Sequence, residues 1–335
     1  MRWNLETHFA RCGSSFLIGK SMMGKNMGKE LAKNILDTIA YYDVMDYPMT
    51  SFEIWKYLNK KDEAGQAGCT LKEIKNELED SELLRIIESY QGYFFLRGKR
   101  NLVEARLERN KLANEKFRIL KGVAWWLRFV PFVRMVAVTG SMAMKNTEHA
   151  SDLDLLVVLK HGRIFTGRTL VTAMVHLLGK RRYADKIKDR ICLNYFITTQ
   201  SLGVVLKDLF SASEYSLIIP IFGFRFFKKF QENNSWIKNY KPNFIGDSMA
   251  NLRTLRDSFL ARTVRRIGER VFGMEFLEES LKKWQIKRIK ADPRTHQDGS
   301  MIVADSEMLI FLPDPQGPKV FEKFKEQSEK FLQIV

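Results

Sequence analysis

The sequence predicts an α+β protein, and three observations carry that prediction. Apolar residues recur at helical spacing through much of residues 30–129. Three β-branched strands follow, Val133–Val138, Leu153–Leu159 and Ile191–Ile197, with helical segments between them. Helical periodicity then returns beyond residue 200. At 335 residues, 45% of them hydrophobic, the chain is long enough to bury more than one core.

Residues 1–28 combine Arg2, Arg11, Lys20 and Lys25 with a Phe16-Leu17-Ile18 patch too short for a signal-peptide core, so a disordered tail, or a start codon upstream of Met22, Met23 or Met27, is expected. Over residues 29–100 the pattern is compact. Leu31, Ile35, Ile39 and Tyr42 share one helical face, and Asp46-Tyr47-Pro48 turns the chain. Thr50 or Ser51 then caps a stripe of Phe52, Trp55 and Leu58. Thr70 opens a third helix with Glu73 completing a capping box, and Leu71, Ile74 and Leu78 face one way. Leu84–Glu88 and Gly92–Leu96 read as a hairpin.

Three helices and a hairpin make a winged-helix-like pattern. A DNA-reading third helix needs cations, yet Lys72 and Lys75 stand among Glu73, Glu77, Glu79, Asp80 and Glu82. The module is therefore expected to dock or to shield rather than to read a DNA sequence.

Residues 101–130 form a connecting helix that ends at Pro131, and residues 131–200 order themselves as strand, short helix, strand, helix, strand. The chemistry lies here. The first strand ends at Gly140-Ser141, where a missing side chain lets backbone approach a ligand and free N–H groups suit a phosphate. Ten residues later come Asp152-Leu153-Asp154. Two apart on a strand, both carboxylates emerge on one face while Leu153 and Leu155 enter the core. Paired carboxylates repel unless a cation joins them, and magnesium with substrate phosphates takes such oxygens.

This spacing resembles the signature of the DNA polymerase β-like nucleotidyltransferase superfamily: apolar strand, Gly-Ser, about ten residues, then Asp-hydrophobic-Asp-hydrophobic. The resemblance spans roughly residues 130–200. It implies a nucleotidyltransferase-like mixed sheet, Asp152 and Asp154 as catalytic metal ligands for Mg²⁺ or Mn²⁺, and Gly140 and Ser141 on the phosphates of a nucleoside triphosphate. Lys145 is a further candidate phosphate contact. The implied reaction moves a nucleoside monophosphate to an acceptor hydroxyl on a small molecule, a protein or RNA. One position departs from the family, because Asn194 stands where a third carboxylate is usual. Asn194 could ligate as an amide, Asp185 or Asp189 could substitute, or the chain could be a catalytically inactive regulator.

Residues 201–335 are expected to be mostly helical, with Leu202–Leu209, Glu214–Phe230 and Asp247–Val271 the strongest stretches, a loop-rich run over 291–319 and a short helix near 319–333. Asp208 and Glu214 fall within this region without an assignable role. Net charge is +16 and is concentrated at +10 over residues 101–200, which suits a triphosphate and leaves nucleic acid as a further partner. The basic run Lys282–Lys290 could add to that reading, though a helix with one solvated face explains it better. Cys12, Cys69 and Cys192 form no zinc spacing and fit a reducing compartment; no apolar run reaches the roughly 18 residues of a membrane helix. A cytoplasmic protein without a membrane partner is expected. Gly19-Lys20-Ser21 mimics the end of a P-loop but lacks the first glycine and a preceding strand.

Overall fold

The structure, a computed structural model, describes residues 13–60, 68–80, 82–183, 185–246 and 254–332. It is a mixed α+β protein with a three-stranded and a six-stranded sheet.

The N-terminal part runs α1 (Gly13–Asp43), β1 (Met49–Thr50), α2 (Ser51–Lys56), α3 (Leu71–Leu78), β2 (Ile87–Tyr90) and β3 (Tyr93–Leu96). The expected tail over 1–28 is helical from Gly13 onward, and its first twelve residues lie outside the described ones. Both predicted N-caps form complete capping boxes, Thr50 with Glu53 and Thr70 with Glu73, each satisfying two backbone donors that a helix start would leave unpaired. The hairpin begins later than expected, because Leu83–Arg85 forms a 3₁₀ turn that buries Leu83. Strand β3 lies between β1 and β2, so one short sheet closes the module over Ile35, Ile39, Tyr42, Ile54 and Ile74.

Helix α4 (Asn101–Leu127) joins this module to the large sheet. Its start serves the first: Arg106 is buried, pairs with Glu53 at 2.8 Å and stacks 3.4 Å from the Tyr47 ring centre. Its end serves the second through Leu120, Val123, Ala124 and Leu127.

The large sheet has the order β7-β4-β5-β6-β9-β8, with β4 (Val133–Val138), β5 (Leu153–Leu159), β6 (Ile191–Thr198), β7 (Ile219–Phe222), β8 (Met301–Ala304) and β9 (Met308–Leu312). Among the described strands only β5 and β6 pair in parallel, and helix α6 (Ile164–Leu177) forms the crossover between them. Strand alternation sends Val136, Val138, Leu155 and Val157 to the face covered by α4 and α6. Met135, Ala137, Leu156 and Val158 face α7 (Leu209–Ser216) and α8 (Phe224–Asn233).

Four expectations for residues 201–335 need correction. Residues 201–208 are irregular and end in Asp208, which caps α7 by accepting from the Ser211 N–H at 2.7 Å. The expected helix Glu214–Phe230 is split by β7, whose Ile219-Pro-Ile-Phe run pairs with β4; Pro220 is tolerated because β7 is an edge strand. Of Asp247–Val271, residues 247–253 lie outside the described ones and helix α9 (Phe259–Val271) begins at its Ser258 cap. The run expected to be loop-rich holds the β8–β9 hairpin, which adds to β6 and completes the sheet. Helix α10 (Glu275–Lys290) covers α6, and α11 (Gln316–Leu332) returns to α1.

Candidate functional site

Gly140 ends β4 and opens α5 (Gly140–Ala143) with φ of +64°, a conformation in which a side chain is strained. A Cβ there would stand 2.9 Å from Asp154 Oδ2. The glycine therefore allows the turn to approach the carboxylate of the neighbouring strand. Strand pairing brings this about, since β4 and β5 are antiparallel, and the Thr139 N–H donates to the Asp154 carbonyl at 3.2 Å.

Asp152 and Asp154 share the face of Leu156 and Val158, as the spacing predicted, while Leu153 and Leu155 enter the opposite core. Strand β6 lies beside them with Cys192 in register with Asp154. The register then shifts, so that Tyr195 pairs with Leu156 and one extra residue of β6 intervenes. Such a bulge re-aims side chains. Here Asn194 Nδ2 donates to Asp154 Oδ1 at 3.0 Å, so Asn194 meets the site as a donor toward the carboxylate.

Carboxylate and thiol atoms of Asp152, Asp154 and Cys192 lie within 4.8 Å of one another. Burial, and next the charge of Asp152, pushes the Asp154 carboxyl up to about 6. Burial followed by both carboxylates pushes the Cys192 thiol far up, so it stays protonated and is a poor ligand for a hard cation. Arg182 answers the negative charge from the rim: its guanidinium donates to Asp152 Oδ2 and lies 3.6 Å from Cys192 Sγ. Two neighbouring carboxylates, one of them raised by burial and by the other's charge, with a thiol unable to compete, fit a divalent oxygen-seeking cation.

Sequence reasoning left Glu214 without a role. Helix α7 sets it above the β4 turn, where its carboxylate accepts from the Gly140 N–H. Burial, and next the charge of Asp154, pushes Glu214 up to about 7. Asp208 caps the same helix one turn earlier. A third carboxylate thus reaches the pair from a helix rather than from the adjacent strand. The only signal in the sequence was an acid six residues beyond a cap, too common a pattern to single out.

All these side chains line one cleft of about 1470 Å³, bounded by Tyr41, Tyr42 and Met45 of the N-terminal module, Leu206 and Glu214 near α7, and Pro313, Lys319 and Phe321 from the C-terminal part. Ser141 is exposed at its wall. Lys145 is exposed too but does not line the cleft, since its φ of +56° turns the chain away. Neither Asp185 nor Asp189 supplies the third acid: Asp189 Oδ1 lies 3.3 Å from the buried Lys116 Nζ, and neither residue lines the cleft. Lys116 also donates to the Ser151 carbonyl at 2.8 Å, fixing the loop that leads into Asp152.

Compared with protein-family models, curated proteins and solved structures, the chain matches none of them.

Proposed function

We propose that the protein is a metal-dependent nucleotidyltransferase that moves a nucleoside monophosphate from a nucleoside triphosphate to an acceptor hydroxyl. The observation that carries this reading is the contact between the Gly140 turn and Asp154, with Asp152 beside it and Glu214 above. Anion-seeking backbone and cation-seeking carboxylates then face the same cleft. The parallel pair β5–β6 beside the antiparallel pair β4–β5 supports the reading, as does the order of strand, short helix, strand, helix, strand.

Asp152 and Asp154 would hold the cation. When bound, it would supply positive charge against the triphosphate and the departing pyrophosphate. The Ser141 hydroxyl and the amides of its turn would take phosphate oxygens. Asn194 orients Asp154 through its amide, and Arg182, paired with Asp152 at the rim of the cleft, is the guanidinium that would meet phosphate.

Glu214 is the group suited to accept the acceptor's proton, because a carboxyl near 7 is poised at neutral pH. The acceptor oxygen attacks the α-phosphorus and the bond to pyrophosphate breaks, while the hydroxyl proton passes to Glu214. Incubation with labelled ATP, CTP, GTP or UTP and Mg²⁺ or Mn²⁺ tests this. Transfer by the native protein and none by Asp152→Ala/Asp154→Ala is expected; identical behaviour of the two proteins, with no nucleotide bound, overturns it.

The Arg182–Asp152 pair and Asn194 favour a second reading, a catalytically idle fold that binds nucleotide and regulates a partner through the N-terminal module. That module's order, α1-β1-α2-α3-β2-β3, suits a winged helix, and α3, where Glu73 and Glu77 offset Lys72 and Lys75, suits docking better than DNA reading. Product formed in any transfer assay removes this second reading.

A further inference from the structure

Helix α9 is mounted on the protein by its small and charged residues. Ala261 is buried, and Gly268 lies so close to Pro131 that a Cβ would stand 2.4 Å from the ring. Arg265 donates to the Arg128 carbonyl and to Asp257, both at 2.7 Å, and Glu269 accepts from Arg134 at 2.7 Å and from the Phe132 N–H at 3.2 Å. Helices normally turn their apolar stripe inward. Here Leu260, Val264, Ile267 and Val271, spaced four, three and four apart and so on one stripe, face solvent at 63%, 42%, 56% and 56% exposure.

The exposed Phe259 at the start of the helix and Met274 and Phe276 beyond its end extend the apolar surface. On the flank away from the protein stand exposed Arg262, Arg266 and Arg270, again at four-residue spacing. The helix's one acid, Glu269, is already held by Arg134.

We infer that α9 is an interfacial helix that lays Leu260, Val264, Ile267 and Val271 into the surface of an anionic bilayer while Arg262, Arg266 and Arg270 meet the lipid phosphates. Charge decides between this occupant and a second copy of the chain. Self-docking would bring the same three arginines together on molecules that each carry +16 net charge, whereas anionic lipid complements both the stripe and its flank. Long arginine side chains reach headgroups from the side of an embedded helix.

Among the described residues no helix is long and apolar enough to cross a membrane. The contact is therefore peripheral. The expectation of no membrane partner concerned spanning segments, which this contact does not need, and the inference is independent of the proposed chemistry.

Co-sedimentation of the full chain with vesicles tests the assignment, using equal parts phosphatidylglycerol and phosphatidylcholine against phosphatidylcholine alone. The protein is expected to pellet with the anionic vesicles at low salt and to be released as salt rises. Arg266→Gln with Arg270→Gln should weaken partition about fivefold per arginine. Ile267→Ser with Val271→Ser should abolish it, with melting temperature unchanged because these side chains are exposed. Absence of anionic-vesicle binding, or equal binding by the variants, overturns the inference. A dimer that ignores vesicles and dissolves on Ile267→Ser with Val271→Ser overturns it in favour of a second copy.

Discussion

Two buried charges show how differently this protein uses ionisable groups. Lys241 is fully buried at the junction of the N-terminal module and the region after α8. Its Nζ donates to Asn59 Oδ1 and to the Tyr57 carbonyl at 3.0 Å, with the rings of Tyr41 and Tyr42 at 5.3 and 5.0 Å. Every near neighbour is an acceptor or a π face, so the amine acts as a tie, though burial holds its pKa well below the usual lysine range. The cleft does the opposite. Asp152, Asp154 and Glu214 converge with Arg182 on the rim paired to Asp152; the charge of Asp152 helps raise Asp154, and that of Asp154 helps raise Glu214. A lone amine among neutral acceptors marks structure at Lys241, while a cluster of acids marks the candidate site.

Substitutions that separate stability from activity sharpen this contrast. In Asp154→Asn, transfer should fall about a thousandfold or more, since a cation ligand is lost, while the metal-free protein gains about 1 kcal/mol near pH 8 because a raised carboxylate is removed. Labelled-nucleotide assays and urea titration measure the two. A stability loss here would erase the comparison. Lys241→Met should act in the reverse sense, costing about 3 kcal/mol by stranding the acceptors of Asn59 and Tyr57, which urea titration also reads.

Gly140→Ala should cost about 2 kcal/mol and weaken divalent-cation binding, because the new Cβ forces apart the turn and Asp154; calorimetric titration with Mn²⁺ follows the second effect. The smallest effect concerns pH. Asp154 and Glu214 have folded-state values raised above their ordinary 3.8 and 4.5, to about 6 and about 7. The folded protein thus binds more protons than the unfolded chain between those limits, and its stability is fully present below about pH 4 and lost as pH rises through 6 to 7. Their contribution to the metal-free melting temperature should fall over that window, and Mg²⁺ should restore more of it at pH 8 than at pH 5.5. The double variant Asp154→Asn/Glu214→Gln should remove the difference.

Much of the site was legible because its parts are neighbours along the chain. Gly140 and Ser141 follow β4, and Asp152 and Asp154 stand at the start of the adjacent β5, with one short connection between; the spacing of two places both carboxylates on one face. Asn194 was noted as the departure in the pattern, but its role depended on a bulge in β6 that no residue pattern announces. Arg182 and Glu214 were not assigned because each reaches the site across tens of residues through packing. The β8–β9 hairpin escaped notice since two apolar runs of four and five residues amid Pro313, Pro315 and Pro318 carry too little periodicity to distinguish strand from loop.

Sequence by itself determined the α+β class, the cap near Thr50 and the capping box at Thr70, the three central strands, and the pairing of a glycine turn with two carboxylates. All are set by local spacing and backbone preference. Tertiary structure decided which third acid joins them, which cation answers them and which helix turns its apolar stripe to solvent. Those depend on which surfaces meet when loops close, and one residue's neighbours in the chain exert almost no force on that outcome.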